Sequence, residues 1–172
     1  APTFKKDLLN RDFSINTLAV DMASWTGKSF PGRVIDTFSG KEDIQKGVIR
    51  MVFDAAFQQD PLRLMRAFSL RAALGFLIER ATMSRIKQDR GLIRDVSAER
   101  VRDELFKILE SSRAAVILKE MDRAGLLEHV IPQIRVMFGV PQGTYHNLDV
   151  WPHALESVDR KSTRLNSSHI AV

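Results

Sequence analysis

Residues 59–76 read QDPLRLMRAFSLRAALGF and carry the clearest helical pattern in the chain. Apolar side chains recur there at steps of three and four residues, so they share one face of a helix. These side chains belong to Leu62, Met65, Phe68 and Ala72. Asp60 followed by Pro61 is a typical helix start, and Gly75 is a typical helix end. The stretch therefore predicts a helix with Asp60 as its N-cap and Pro61 as its first residue, closed by Gly75.

Upstream of this helix the pattern is typical of short strands. Residues 13–22 carry β-branched and apolar side chains in partial alternation, and residues 33–36 resume the pattern after a turn. We therefore expect a hairpin across residues 13–37, followed by a short helix over 41–46 and an extended piece over 48–52.

Downstream, further helices are predicted over residues 80–88, 97–109, 113–123 and 126–138, the last of them broken by Pro132. Strands followed by a run of helices favour an α+β fold, with a boundary near residues 53–60. The strand-bearing portion is too short to bury a core of its own, so we expect it to need further strands upstream.

The composition is ordinary for a globular protein, since 44% of the 172 residues are hydrophobic and 27% are charged. A formal net charge of +5 indicates a polyanionic partner only mildly. The absence of cysteine excludes disulfides and thiolate metal sites, and no apolar run is long enough to span a membrane. We expect a cytoplasmic protein without a membrane partner.

The end of the chain does not look natural. Residues 159–169 read DRKSTRLNSSH, which has no apolar periodicity and equals, codon for codon, an in-frame translation of a short-read sequencing adapter. We interpret residues 159–172 as adapter-derived, and removing them takes away more positive than negative charge. Genomic DNA that continues past codon 158 with the same string would contradict this. Because the chain starts at Ala1 without methionine, we also expect an internal piece of a longer protein.

Asp60 and Arg63 stand three positions apart and so share one face of a helix. A carboxylate accepts hydrogen bonds, whereas a guanidinium only donates them. Cytosine and adenine each present an amine donor beside a ring-nitrogen acceptor on the pairing edge, and uracil and guanine invert this order. The pair could therefore accept C or A and reject U or G. On spacing alone, an ordinary surface ion pair is the alternative.

Other polar residues form weaker candidates. Arg11 suits phosphate recognition, and Asp12 and Asn16 suit ribose hydroxyls and amide contacts. His146 and His153 could begin a metal site, although the sequence offers no His-Asp pair after them. The chain has no Walker-type loop, no GxGxxG motif and no DxD pair of the kind that two-metal phosphoryl-type transfer requires.

Taken in order, the motifs resemble those of bacterial tRNA nucleotidyltransferases, the class shared with bacterial poly(A) polymerases. DLLNRDFSINTLAVD resembles the family's DLxRRDFTINALAxD, although Asn10 replaces the first arginine of the pair. VIDTFSGKEDIQKGVIR resembles D-x-F-x-G-x-x-DL-x-x-G-x-IR. QDPLRLMRAFSLRAALGF resembles EDPLRLLRAxRFAAxLGF, with Gln59 in place of the usual glutamate.

Two further segments extend the resemblance to about residue 158. SAERVRDEL is similar to the family's neck motif SxERIxxEL, with Glu99 and Arg100 matching. GVPQGTYHNLDVWPHALESV resembles the entry to an HD domain, with His153 at its first metal-ligand position. The resemblance divides the chain into the distal part of a head domain (1–58), a helical neck (59–138) and a truncated start of an HD domain (139–158).

The resemblance implies a fragment of a template-independent enzyme that adds C and A to tRNA 3′ ends from CTP and ATP. The nucleotide-binding residues that it implies are Arg11, Asp12, Asn16, Asp60, Arg63 and Arg66. The first three would hold the sugar and triphosphate, Asp60 and Arg63 would select the base, and Arg66 would support phosphate or template geometry.

The family's Mg²⁺ ligands lie in a DxD segment upstream of the region matched here. We therefore expect no catalytic residue within this chain, and residual nucleotide binding at best. A poly(A) polymerase of the same class is the closest alternative, and a non-catalytic helical RNA-binding module is the alternative from another class. HD phosphohydrolase activity needs more ligands than His153 alone, and the sequence leaves the oligomeric state open.

Overall fold

In the described parts of the chain, short strands and helices alternate up to residue 78, and the elements after that point are helices. The structure is a computed structural model that describes residues 4–22, 34–140 and 150–168. The helices are α1 (Phe4–Leu9), α2 (Gly40–Lys46), α3 (Ala56–Gln59), α4 (Arg63–Leu74), α5 (Arg80–Asp89), α6 (Ala98–Leu109), α7 (Ala114–Arg123), α8 (Leu127–Val130) and α9 (Val150–Ser168). The strands are β1 (Ala19–Val20), β2 (Val34–Ile35), β3 (Val48–Ile49) and β4 (Leu77–Ile78).

Strand pairing links the two halves of the chain. β1 pairs antiparallel with β2, which confirms a hairpin pairing, although its predicted turn lies outside the described residues. β3 pairs in parallel with β4, with Val48 opposite Leu77 and Ile49 opposite Ile78. A parallel pair needs a long crossover connection, and here α3 and α4 provide it. The central helix is therefore fixed between two strands that are paired with each other.

Helix α4 confirms the predicted helix, but it begins at Arg63 rather than at Pro61. The backbone of Asp60 is extended, and its side-chain Oδ1 accepts a hydrogen bond from the Leu62 amide at 3.3 Å. Asp60 thus has the extended backbone and the side-chain bond expected of a capping residue, while Pro61 and Leu62 form a turn that leads into the helix. At the other end, Gly75 has the left-handed φ of 74° that a helix-ending glycine commonly adopts.

One hydrophobic core serves both halves of the molecule. Phe13 and Ile49 from the strand-bearing portion are fully buried in the same cluster as Phe68 of α4 and Ile108 of α6. Burial of a side chain of this size contributes about 1.5–3 kcal/mol. The core therefore crosses the position near residue 58 at which the sequence suggests a boundary.

The prediction of a strand over residues 13–22 is wrong for most of its length. Residues Ser14–Asn16 form a 3-10 turn, and only Ala19–Val20 is a strand. The hydroxyl of Thr17 donates to the Ser14 carbonyl at 2.7 Å, and such local bonds compete with a strand ladder. The turn also packs closely on α2, since a Cβ on Gly40 would come within 2.4 Å of the Ser14 carbonyl oxygen.

The remaining helices agree with the sequence prediction within a few residues. Helices α2, α5, α6 and α7 are confirmed, and the apolar segment over 126–138 is broken as expected. It consists of α8 and a 3-10 helix, Pro132–Met137, because Pro132 has no amide hydrogen to continue an α-helix. Helix α9 extends to Ser168 and so includes residues after 158, for which the sequence predicts no helix. The interpretation of residues 159–172 as adapter-derived stays a prediction.

A short 3-10 helix, Arg90–Asp95, joins α5 to α6. Helix α6 packs along α4, and α7 packs along α9. None of the helices in the described parts of the chain is long and apolar enough to cross a membrane.

Candidate functional site

An open cleft of about 480 Å³ lies where the end of α1 meets the start of α4. The residues that line it are Asn10, Arg11, Asp12, Asn16, Asp60, Arg63, Arg66 and Leu70. The structure thus brings together all six residues for which the sequence suggests a nucleotide-binding role. They come from two segments separated by more than forty positions, which the shared core holds side by side.

Asp12 accepts more hydrogen bonds than the other carboxylate of the cleft, Asp60. Its Oδ1 accepts from the Phe13 amide at 2.9 Å and from Asn16 Nδ2 at 2.8 Å, and its Oδ2 accepts from Arg66 Nε at 2.7 Å. Burial raises the pKa of this carboxyl, but the Asn16 hydrogen bond and the charge and hydrogen bond of Arg66 outweigh it. The pKa of Asp12 is therefore lowered, and the residue holds Asn16 and Arg66 in fixed positions.

This lowered pKa predicts that the fold is sensitive to acid through Asp12. A carboxyl with a lower pKa in the folded state contributes stability above its unfolded pKa of about 3.9, and this is lost as pH falls through the folded pKa. Thermal unfolding is followed by circular dichroism between pH 2 and 7. The melting temperature should fall less at acid pH in Asp12→Asn than in the wild type. The exposed control Asp54→Asn should follow the wild type. Identical pH profiles for Asp12→Asn and the wild type would contradict the prediction.

Arg66 links the cleft to the neighbouring helix. Its Nη1 lies 3.8 Å from Glu104 Oε1, and Glu104 is only 4% exposed on α6. Glu104 also accepts from the hydroxyl of Ser69 and from Lys107 Nζ, the latter at 2.7 Å. A continuous chain of polar contacts therefore runs from Asp12 through Arg66 to α6.

Asp60 presents a carboxylate oxygen to the cleft. Its Oδ1 accepts from the Leu62 amide, whereas the contact recorded for its Oδ2 is Arg100 Nη2 at 3.5 Å. Arg100 is exposed, so this ion pair is weak and easily exchanged for another donor. The second carboxylate oxygen can therefore accept a hydrogen bond from a bound molecule.

Arg63 is only 6% exposed and is fixed by the surrounding backbone. Its Nη1 donates to the Ala56 carbonyl and to Gln59 Oε1, both at 3.2 Å, and its Nη2 donates to the Asn10 carbonyl. These bonds engage three of the five N–H groups that a guanidinium carries. Arg63 also lines the cleft, and two of its N–H groups remain beyond these three bonds.

The other predicted residues differ in their relation to the cleft. Arg11 is exposed at its edge and pairs with Asp7 at 3.1 Å. Glu99 is exposed on the first turn of α6 and does not line the cleft. His153 lies half-buried on α9, and His146 lies outside the described residues. Within the described parts of the chain, no three His, Asp or Glu side chains come together as metal ligands would.

Sequence reasoning missed Glu104 as a site-supporting residue. The signal for it was present, because Glu104 falls between Val101 and Ile108 on the apolar face of α6, where a carboxylate needs buried partners. In the sequence, Asn10 and Gln59 stand out only as departures from the family motifs. Their mutual contact could not be read from the sequence, since 49 positions separate them.

Known proteins with similar sequences match both halves of the chain. The profile described as "Poly A polymerase head domain" matches residues 1–50, and "Probable RNA and SrmB- binding site of polymerase A" matches residues 75–137. The A-adding tRNA nucleotidyltransferase of Deinococcus radiodurans is 33% identical over 95% of this chain and 37% of its own length. The Multifunctional CCA protein of Xanthomonas campestris pv. campestris is 39% identical over 81% of this chain and 33% of its own length.

Solved structures give the same result. The CCA-adding enzyme of Bacillus stearothermophilus in complex with CTP is 35% identical, with a TM-score of 0.65 over 72% of this chain and 30% of that enzyme. A tRNA nucleotidyltransferase complexed with a primer tRNA and an incoming ATP analog is 31% identical, with a TM-score of 0.66 over 75% of this chain and 37% of that one. The fold is that of a nucleotidyltransferase head joined to a helical region.

The chain therefore belongs to the family of tRNA nucleotidyltransferases and bacterial poly(A) polymerases. It spans about a third of the length of the curated relatives that it matches.

Proposed function

We propose that the chain is part of a template-independent tRNA nucleotidyltransferase that adds C and A to tRNA 3′ ends from CTP and ATP. The observation that carries this proposal is the cleft in which Asp60 offers an acceptor beside the donors of Arg63. The similarity to enzymes described with CTP, an ATP analog and tRNA supports it. In this proposal the complete reaction is carried out by a longer protein that acts in the cytoplasm.

Base selection follows from the order of donors and acceptors in the cleft. Asp60 Oδ2 would accept from the exocyclic amine of cytosine or adenine, while Arg63 would donate to the adjacent ring nitrogen. A uracil or guanine would bring a carbonyl against the carboxylate and an N–H against the guanidinium. Because both protein groups are partly shielded from water, such a mismatch leaves them unpaired and is costly.

The rest of the nucleotide would meet the basic edge of the cleft. Arg11 is exposed there and its ion pair with Asp7 is solvent-screened, so a triphosphate can replace it. Asn16 and Asp12 would contact the sugar, although Asp12 already accepts from three donors and mainly fixes Arg66. We assign Arg66 to supporting the geometry of the cleft, as its contacts with Asp12 and Glu104 suggest.

The chemistry of this family also requires Mg²⁺ to stabilise the transferring phosphoryl group. The described residues do not fit such an ion, because no three His, Asp or Glu side chains come together among them and Asp12 already accepts from Phe13, Asn16 and Arg66. The proposal therefore places the Mg²⁺ ligands in a part of the enzyme outside this chain, and no catalytic residue is assigned within it.

The proposal divides the chain as the sequence suggests. Residues 1–58 are the distal part of the head domain, 59–138 the helical neck that contacts nucleotide and RNA, and 139–158 the start of an HD domain with His153 as one ligand. Glu99 and Arg100 mark the neck, where Arg100 contacts Asp60.

The test compares the affinities of the chain for CTP, ATP, UTP and GTP by calorimetry. We expect CTP and ATP to bind more tightly than UTP and GTP, and Asp60→Ala to remove about 10- to 100-fold of this preference, the worth of one bidentate base contact. The exposed control Asp54→Asn should keep the preference. Equal affinities of the wild-type chain for CTP and UTP would overturn the proposal. Robust CCA addition by this chain alone would show that the metal ligands do not lie outside it.

A second experiment separates CCA addition from the related activities. The full-length parent enzyme is given tRNA that lacks its CCA end, together with labelled CTP. A CCA-adding enzyme incorporates the label, whereas a poly(A) polymerase or an A-adding enzyme incorporates little.

A further inference from the structure

Two departures from the family motifs lie in contact with each other. Asn10 stands where the resembled motif has an arginine, and Gln59 stands where the other motif has a glutamate. In the structure, Gln59 Nε2 donates to Asn10 Oδ1 at 3.2 Å, although the residues are 49 positions apart. The charged residues of the two motifs would face each other across this same contact. A positive and a negative charge are thus replaced together by two neutral amides.

The contact is one side of a closed ring of hydrogen bonds around Arg63. Gln59 Oε1 accepts from Arg63 Nη1 at 3.2 Å, and Arg63 Nη2 donates to the Asn10 carbonyl. The side-chain amide of Gln59 therefore makes two hydrogen bonds: its oxygen accepts from the guanidinium, and its nitrogen donates to Asn10. The ring connects the end of α1 to the start of α4 and fixes the orientation of Arg63 in the cleft.

A change of only one of the two positions would disturb this ring. A glutamate at position 59 opposite Asn10 would lose the amide donor to Asn10 Oδ1 and would pair with Arg63 as a charged acceptor, where it competes with a ligand for the donors of the guanidinium. An arginine at position 10 opposite Gln59 would add a cation beside Arg63 and face the amide donors of Gln59. Only the joint change keeps both the net charge and the donor-to-acceptor pairing.

We propose that Asn10 and Gln59 are a matched neutral pair that positions Arg63 for base selection. The proposal rests on the proposed function, since Arg63 is the donor that would read the base. Neither residue needs to touch the nucleotide, so both are positioning residues. Their effect on base preference depends on the partner present at the other position.

The test is a double-mutant cycle on the complete 172-residue chain, with CTP and UTP as probes. The variants are Asn10→Arg, Gln59→Glu and the double variant, and Gln58→Glu is the control. Gln58 is the exposed neighbour of Gln59 on α3, so this control adds the same charge outside the ring. We expect each single variant to lower the CTP-over-UTP affinity ratio about tenfold, and the double variant to recover it to within about threefold.

Several outcomes decide between the two proposals. Single variants that keep the wild-type ratio, or losses that multiply in the double variant, overturn the positioning role. A wild-type chain that does not distinguish CTP from UTP overturns the proposed function and, with it, the positioning role. The urea midpoints of the wild type, the two single variants and the double variant test the pairing of Asn10 with Gln59 without nucleotide. Independent positions give additive shifts of the midpoint, whereas a matched pair gives recovery in the double variant.

Discussion

Glu104→Ala is expected to destabilise the protein by about 1–3 kcal/mol, the usual cost of taking the partner away from buried polar groups. Glu104 is almost completely buried and accepts from Ser69 and Lys107 while it faces Arg66. Its loss leaves the Ser69 hydroxyl with only the Arg66 carbonyl as acceptor, at 3.3 Å, and the Arg66 charge without one of its two carboxylates. Urea unfolding followed by circular dichroism measures the change in unfolding free energy.

Two matched variants sharpen this result. Glu104→Gln keeps an acceptor for Ser69 but removes the charge. Its unfolding free energy should therefore lie between those of the wild type and Glu104→Ala. Glu99→Ala removes an exposed glutamate from the same helix and should stay within about 0.5 kcal/mol of the wild type. A Glu104→Ala variant as stable as Glu99→Ala would show that the buried carboxylate does not hold α4 and α6 together.

Arg63→Ala is expected to affect both stability and ligand binding. Truncation leaves the Ala56 and Asn10 carbonyls without their guanidinium donor, which we expect to cost about 2–4 kcal/mol of unfolding free energy. It also removes the donor proposed to pair with the base, so the preference for CTP over UTP should be lost. Unfolding by urea and nucleotide binding by calorimetry measure the two effects separately.

Arg63→Lys is the comparison that separates charge from geometry. A lysine keeps the positive charge, but it cannot direct planar N–H groups to three acceptors at once. We therefore expect it to recover part of the stability and little of the base preference. A lysine variant with wild-type preference would show that Arg63 acts by charge alone.

The sequence was sufficient to predict the helical half of the fold. The apolar steps through Leu62, Met65 and Phe68 identify α4, because the same side chains that set the period also form the core. Gly75 adopts the positive φ expected of a helix end. Helices α5 to α7 follow from the same logic, since each buries one apolar face.

The strand-bearing half was harder to predict, because its structure depends on contacts far along the chain. Ser14 donates its hydroxyl to Asp43, and the turn that results replaces a predicted strand. The two-residue strand β3 is stabilised by pairing with β4, which lies about thirty positions later. No local pattern contains such information, and each strand alone is too short to give a period.

For the candidate site, residue types were predictable and their bonding was not. The base-reading chemistry of Asp60 and Arg63 follows from their functional groups, and the structure places both at one cleft. The prediction that they share a helix face is wrong, since Asp60 precedes α4 in an extended conformation. Which donors occupy Asp12 depends on Arg66, 54 positions away, and only the folded chain brings the two together.

The wide separation of these partners along the chain also has a consequence for folding kinetics. The bond from Arg63 to the Asn10 carbonyl closes a loop of 53 positions, and the bond from Ser69 to Glu104 closes one of 35. The entropy of closing such loops is paid before the contacts stabilise the chain, so we expect these bonds to form late. Substitutions that break them should speed unfolding and leave the folding rate nearly unchanged. A nucleotide that binds the cleft would then slow unfolding and so increase the kinetic stability of the native state.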